Sequence, residues 1–243
     1  PGVVVDANQT GRVFLVEEGC EAVISHLGIT GGRFEGGGAI YNRGHLTLRH
    51  CSIYGNESVD GWAGGAINNA AYYSRARLVV ENCTISHNES SGSGGGIASI
   101  TYGPGLAEVE IRASSITMND AAYGGGILSL AQFGGVSRLN VVDSVISWNT
   151  AAGWGGGIRA DRFSSDPHSL SEVTLATSDI NGNHAGGRGG GIANAYGGAR
   201  ITLTGCGVIS NTADEGAPNF AHQSRSALIA FLGYNWIGDT SGL

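Results

Sequence analysis

The residues able to do chemistry in this chain fall into three sets. Between Ile158 and Glu172 lies the longest stretch that varies between repeats, and it holds Arg159, Asp161, Arg162, Asp166 and His168. Long loops on a rigid scaffold are where sites tend to be built. The second set is Tyr123, Trp154 and Arg188, which stand at matching places, each directly ahead of a run of glycines. Rings pack on the apolar faces of sugars and a guanidinium holds carboxylates, so this trio predicts binding of an acidic sugar chain. The alternative is rings that cover a turn. The third set is Glu57, Glu89 and Asp120, each directly after an Asn. Like charges stacked at that spacing raise one another's pKa or invite a cation such as Ca²⁺; splayed apart, they are a solvated turn.

A repeat places these sets. GGAI stands at 37–40 and 64–67, and GGGI at 94–97, 124–127, 155–158 and 189–192. The isoleucines are therefore 27, 30, 30, 31 and 34 residues apart, a period that marks a repeat architecture. Each unit carries the glycine block with its Ile, a variable loop, an alternating strand of the type Leu46-Thr47-Leu48, and a run such as Cys83-Thr84-Ile85-Ser86-His87-Asn88. The runs are short, most alternate with period 2, and no helical period is sustained. Three short strands per turn of about 30 residues predict an all-β parallel coil whose apolar faces are buried against the neighbouring coils. Residues 1–220 are read as coils and residues 221–243 as a cap, because the end of a solenoid must be hidden.

Stacked coils turn equivalent positions into columns. Asn56, Asn88, Asn119, Asn149, Asn183 and Asn211 form one, and amides at the coil spacing can hydrogen-bond along it. Cys51, Cys83, Ser114, Ser144, Ser178 and Cys206 form a column of small side chains, in which buried free thiols are expected rather than a disulfide. The glycine blocks are expected to serve the bends of the coil; a phosphate-cradling loop would need a strand-to-helix context that is missing.

Composition removes other classes. Net charge is −7, lysine is absent, and the arginines form no basic stripe, so nucleic-acid binding through phosphate neutralisation is not expected. No apolar run approaches the roughly 18 residues of a membrane span. The four cysteines show neither C-x-x-C nor zinc spacing.

The glycine–isoleucine blocks, the Leu46-Thr47-Leu48 strands and the Asn-ending runs resemble bacterial right-handed β-helix repeat proteins. These include the pectin-lyase-like superfamily and the polymorphic outer-membrane-protein type of repeat. The resemblance covers nearly the whole chain and implies a right-handed parallel β-helix, secreted or displayed at the cell surface. Its functions range from lyases to adhesins and passenger domains, so it is weak for activity. A β-eliminating lyase of that superfamily needs a base and a cation for the substrate carboxylate, roles that would fall to Arg159 or Arg162 with Asp161 nearby. The NTD, DD, GHG and RIK motifs of polygalacturonase-type hydrolases are absent. Three readings stay open: a β-helix that binds a polymeric carbohydrate or partner surface, a lyase acting on an acidic polysaccharide, and a structural stalk.

Overall fold

The computed structural model describes residues 2–59, 63–162, 166–222 and 228–239. Its strands are short and all pair in parallel with the strand one turn away in sequence. Four sheets result, running along one axis. Sheet I has nine strands, from Val3–Asp6 to Trp236–Ile237. Sheet II has eight, from Phe14–Val16 to Phe220–His222, and sheet III eight, from Glu21–Ser25 to Leu228–Leu232. Sheet IV has seven two- to five-residue strands, from Arg33–Phe34 to Thr212–Ala213. The chain is thus a parallel β-helix, with four strands per full turn where three are read from the sequence.

The extra strands have a physical cause. The positions after each glycine-block Ile, read above as a variable loop, form sheet II strands such as Ile97–Thr101 and Ile127–Ala131. Every residue of these two strands is buried on both faces. Ile97 and Ile127 join the main core, while the outward Ala98, Ile100, Leu128 and Leu130 form a second buried apolar cluster with Tyr102 packed against it, so no alternation of apolar and polar residues survives to mark them. Gly155 shows why glycine is required. Its φ is +77°, and a Cβ built there would stand 2.8 Å from Cβ of Arg159.

Isoleucines stacked in register fill the core. Ile40, Ile67, Ile97, Ile127, Ile158 and Ile192 are one column, continued by Phe220. The Asn column closes the corner between sheets I and IV. Each amide donates to the next Oδ1 over 2.9–3.0 Å, and each Oδ1 also accepts the preceding Asn backbone N–H over 2.9–3.1 Å. The Cys/Ser column is likewise buried; Cys51, Cys83 and Cys206 are free thiols, and the Cys51 amide donates to Sγ of Cys83. The expected cap, in its described part, is a further turn. Leu228–Leu232 pairs in register with Arg200–Thr204, and Trp236–Ile237 joins sheet I. Residues 223–227 and 240–243 lie outside the described residues.

Sheet III carries a ladder of opposite charges on its outer face. Arg77, Glu108, Arg138, Glu172 and Arg200 are in register, alternating in sign along the axis. Arg138 lies 3.0 Å from Glu172 and 3.9 Å from Glu108, and Arg77 lies 3.0 Å from Glu110. These exposed pairs contribute little each, but they account for several of the arginines and leave that face nearly neutral.

Candidate functional site: an arginine clamped between tyrosines

The arginines with aromatic partners gather on sheet II and its flanking turns. Arg159 is on the strand Ile158–Arg162, pointing away from the core side taken by Ile158 and Ala160. Despite this it is only 3% exposed. Its guanidinium lies 4.4 Å from the ring centroid of Tyr123 and 5.5 Å from that of Tyr196. One ring is that of Tyr123, the last residue of the sheet IV strand Asp120–Tyr123 in the preceding coil, and the other comes from the turn after the sheet II strand Ile192–Asn194 of the next coil.

Asp161 holds this arrangement. Its Oδ2 accepts from Nε of Arg159 at 2.6 Å, and its Oδ1 accepts the backbone N–H groups of Ala195 and Tyr196 at 3.1 and 3.0 Å. The carboxylate is 1% exposed. Burial pushes its pKa up, against the pull of the Arg159 charge and the Tyr196 amide. The pair therefore sets both the guanidinium and the Tyr196 turn at once, and its members are not side chains of a solvated loop.

Beside the clamp is a cavity of about 210 Å³ lined by Tyr123, Trp154, Arg159, Tyr196 and Glu215, with a floor that includes Gly153 and Gly187. Tyr123 and Tyr196 are 40% and 49% exposed, so each has a ring surface available to a ligand. Arg188 is exposed, with its guanidinium 5.8 Å from the Trp154 ring. The structure thus brings Tyr123, Trp154 and Arg159 to one cavity, with Arg188 adjoining through Trp154. Arg162 follows on the same strand, partly buried, and its Nε has no hydrogen-bond partner. Tyr196 and Glu215 escape a reading of the sequence, because neither occupies a repeated column.

Glu57, Glu89 and Asp120 do stand in register on sheet IV. Arg33 pairs with Glu57 at 3.0 Å, and burial with the Glu89 charge raises the pKa of Asp120. Among the described residues no three His, Cys, Asp or Glu side chains converge into a group that could hold a metal ion.

A parallel coil with this core defines its class. The family described as right handed beta helix region matches residues 5–137, and the chain belongs to it. No curated protein and no solved structure matches the chain.

Proposed function

We propose that this β-helix binds an acidic polysaccharide on the outer face of sheet II, without catalysis. One observation carries the reading: Arg159 is pinned by Asp161 between two half-exposed tyrosine rings at the edge of a sugar-sized cavity. Aromatic rings offer flat apolar faces to sugars, the exposed guanidinium of Arg188 beside Trp154 is placed to take a carboxylate, and the buried Arg159–Asp161 pair holds the tyrosines in position. The same geometry speaks against Arg159 as the base of a lyase. Its Nε already donates to Asp161, and a guanidinium carries no acceptor lone pair. A ligand of this kind is met outside cells, so the reading carries a secreted or surface-displayed location with it.

The test is titration with oligogalacturonate and related acidic oligosaccharides, followed by calorimetry, with ultraviolet absorbance recorded on the same mixtures. Saturable binding with a flat absorbance trace is expected. A rising absorbance from an unsaturated product would instead establish β-elimination, and no binding across the panel would remove the proposal.

A further inference from the structure

Four asparagines stand in the sequence N-x-S/T, the acceptor signal for N-linked glycosylation: Asn8-Gln9-Thr10, Asn56-Glu57-Ser58, Asn82-Cys83-Thr84 and Asn88-Glu89-Ser90. The fold separates them. Asn56 and Asn88 belong to the buried Asn column, where their amides donate to Oδ1 of Asn88 and Asn119 and to the backbone oxygens of Ile29 and Ile53. Those nitrogens are out of reach of any enzyme. Asn82 is exposed, but the two residues after it are locked. Cys83 is buried, and Thr84 opens a strand that pairs on both sides, with Ser52–Tyr54 and with Ser115–Thr117.

Asn8 is differently placed. Asn8, Gln9 and Thr10 are all exposed, in the turn between Val3–Asp6 and Phe14–Val16, which are the end strands of sheets I and II. Among the described residues the Asn8 side chain makes no hydrogen bond. The turn is held by exposed bonds: the Asn8 N–H donates to Oδ1 of Asp6, the Gln9 N–H to the Gly31 oxygen and the Thr10 hydroxyl to the Ala7 oxygen, each at 2.7 Å. A turn of this kind, at the edge of the fold, opens locally at low cost and so can enter an enzyme cleft without unfolding the coil.

We infer that Asn8 is built as the acceptor for N-linked glycosylation. The co-substrate is an oligosaccharide carried on a polyprenyl pyrophosphate, and the catalyst is a membrane oligosaccharyltransferase. The carboxamide nitrogen of Asn8 attacks the anomeric carbon of the first sugar. The new C–N bond forms as the bond from that carbon to the pyrophosphate oxygen breaks. The polyprenyl pyrophosphate leaves, and one amide proton passes to a base of the transferase. Thr10 supplies the hydroxyl two residues on that the signal requires. Asp6 adds a carboxylate two residues ahead, where the other three sequences have Tyr54, Val80 and Ser86. The inference rests on the secreted or surface-displayed location in the reading above and not on carbohydrate binding, so a chain that fails to bind oligogalacturonate leaves it standing.

The test incubates the purified folded chain with an oligosaccharyltransferase and a polyprenyl-linked oligosaccharide, and reads intact mass and the modified peptide. Synthetic peptides spanning the four sequences are run beside it. A mass increase of a single glycan on Asn8 is expected, lost in Asn8→Gln and Thr10→Ala and kept in Thr10→Ser and Asn82→Gln. Transfer to an Asn56, Asn82 or Asn88 peptide that the folded chain does not accept would show that the fold makes the selection. No transfer to the folded chain, or a glycan that persists in Asn8→Gln, overturns the assignment. A chain modified in this reaction but bare when isolated from its own source contradicts the exported location and leaves the acceptor site intact.

Discussion

The indole of Trp154 lies across Gly187 of the next coil. A Cβ built on Gly187 would stand 2.5 Å from Cδ1 and 2.8 Å from Nε1 of the ring. The same relation joins Tyr73 to Gly103 and Trp148 to Gly182, where a Cβ would come within 2.8 and 3.0 Å of the ring. Rings on this solenoid therefore lean one coil forward onto glycine, which leaves their other face outward. For Trp154 and Tyr123 that arrangement shapes the cavity at Arg159.

Gly187→Ala should displace Trp154 without unfolding the coil, since its closest contacts are side-chain atoms and its φ lies outside the left-handed region. Tryptophan emission is expected to shift and acidic-oligosaccharide affinity to fall. Gly156→Ala should behave differently, because its Cβ would meet the backbone of His184 and Gly190. A stability loss of about 1–3 kcal/mol in urea unfolding is expected there.

The Asn column gives a second expectation. Asn149 accepts the backbone N–H and the amide of Asn119 and donates to Ile116 and Asn183. Asn149→Ala strands a buried backbone N–H and should cost about 1–3 kcal/mol for that group alone. Equal stability of wild type and variant in denaturant would remove the column from the account of what holds the coils together.

Arg159 and Asp161 should couple strongly. Arg159→Ala leaves a buried carboxylate without its cation, which costs about 3–5 kcal/mol. Combining Arg159→Leu with Asp161→Asn should recover much of that, since the Asn side chain can still accept the Ala195 and Tyr196 amides. Additive effects in the double-mutant cycle would show that the pair does not act as one unit.

Asp120 gives a pH dependence. Its carboxyl pKa is raised in the fold by burial and by Glu89, so the fold favours the protonated form. Stability from this group is present below the ordinary carboxylate value and is lost as pH rises through the raised one. Asp120→Asn should therefore gain in thermal stability relative to wild type as pH rises from about 3 to 7. A gap that does not change with pH would contradict the like-charge contact.

Much of the fold could be read from the residues. The GGGI period, the Asn-ending runs and the Leu-Thr-Leu strands all appear as expected, because each coil repeats the same steric problem and solves it with the same residue types. The strands of sheet II were hidden for the opposite reason. Asn68, Ala98, Leu128 and Arg159 point away from the core yet are buried, Asn68, Ala98 and Arg159 beside glycine blocks and Leu128 in a second apolar cluster, so burial is decoupled from alternation. The site was legible only in part. Tyr123, Trp154 and Arg188 stood out by their column, whereas Tyr196 sits in a turn of irregular length and is brought to Arg159 by its backbone bonds with Asp161 and Arg162. In the cluster formed by Tyr41, Tyr72 and Tyr102, Tyr72 and Tyr102 stand five residues after the repeated Ile67 and Ile97, while Tyr41 directly follows Ile40 on its sheet II strand.

The most direct test of the account is a fluorescence titration of wild type and Tyr196→Ala with oligogalacturonate, with urea unfolding run on both. Trp154 borders the cavity, so the account predicts a saturable emission change in wild type. It also predicts roughly tenfold weaker affinity in the variant at unchanged stability. A saturable change of equal affinity in both proteins, or no change in either, would contradict the claim that the Arg159 clamp is a site for acidic carbohydrate.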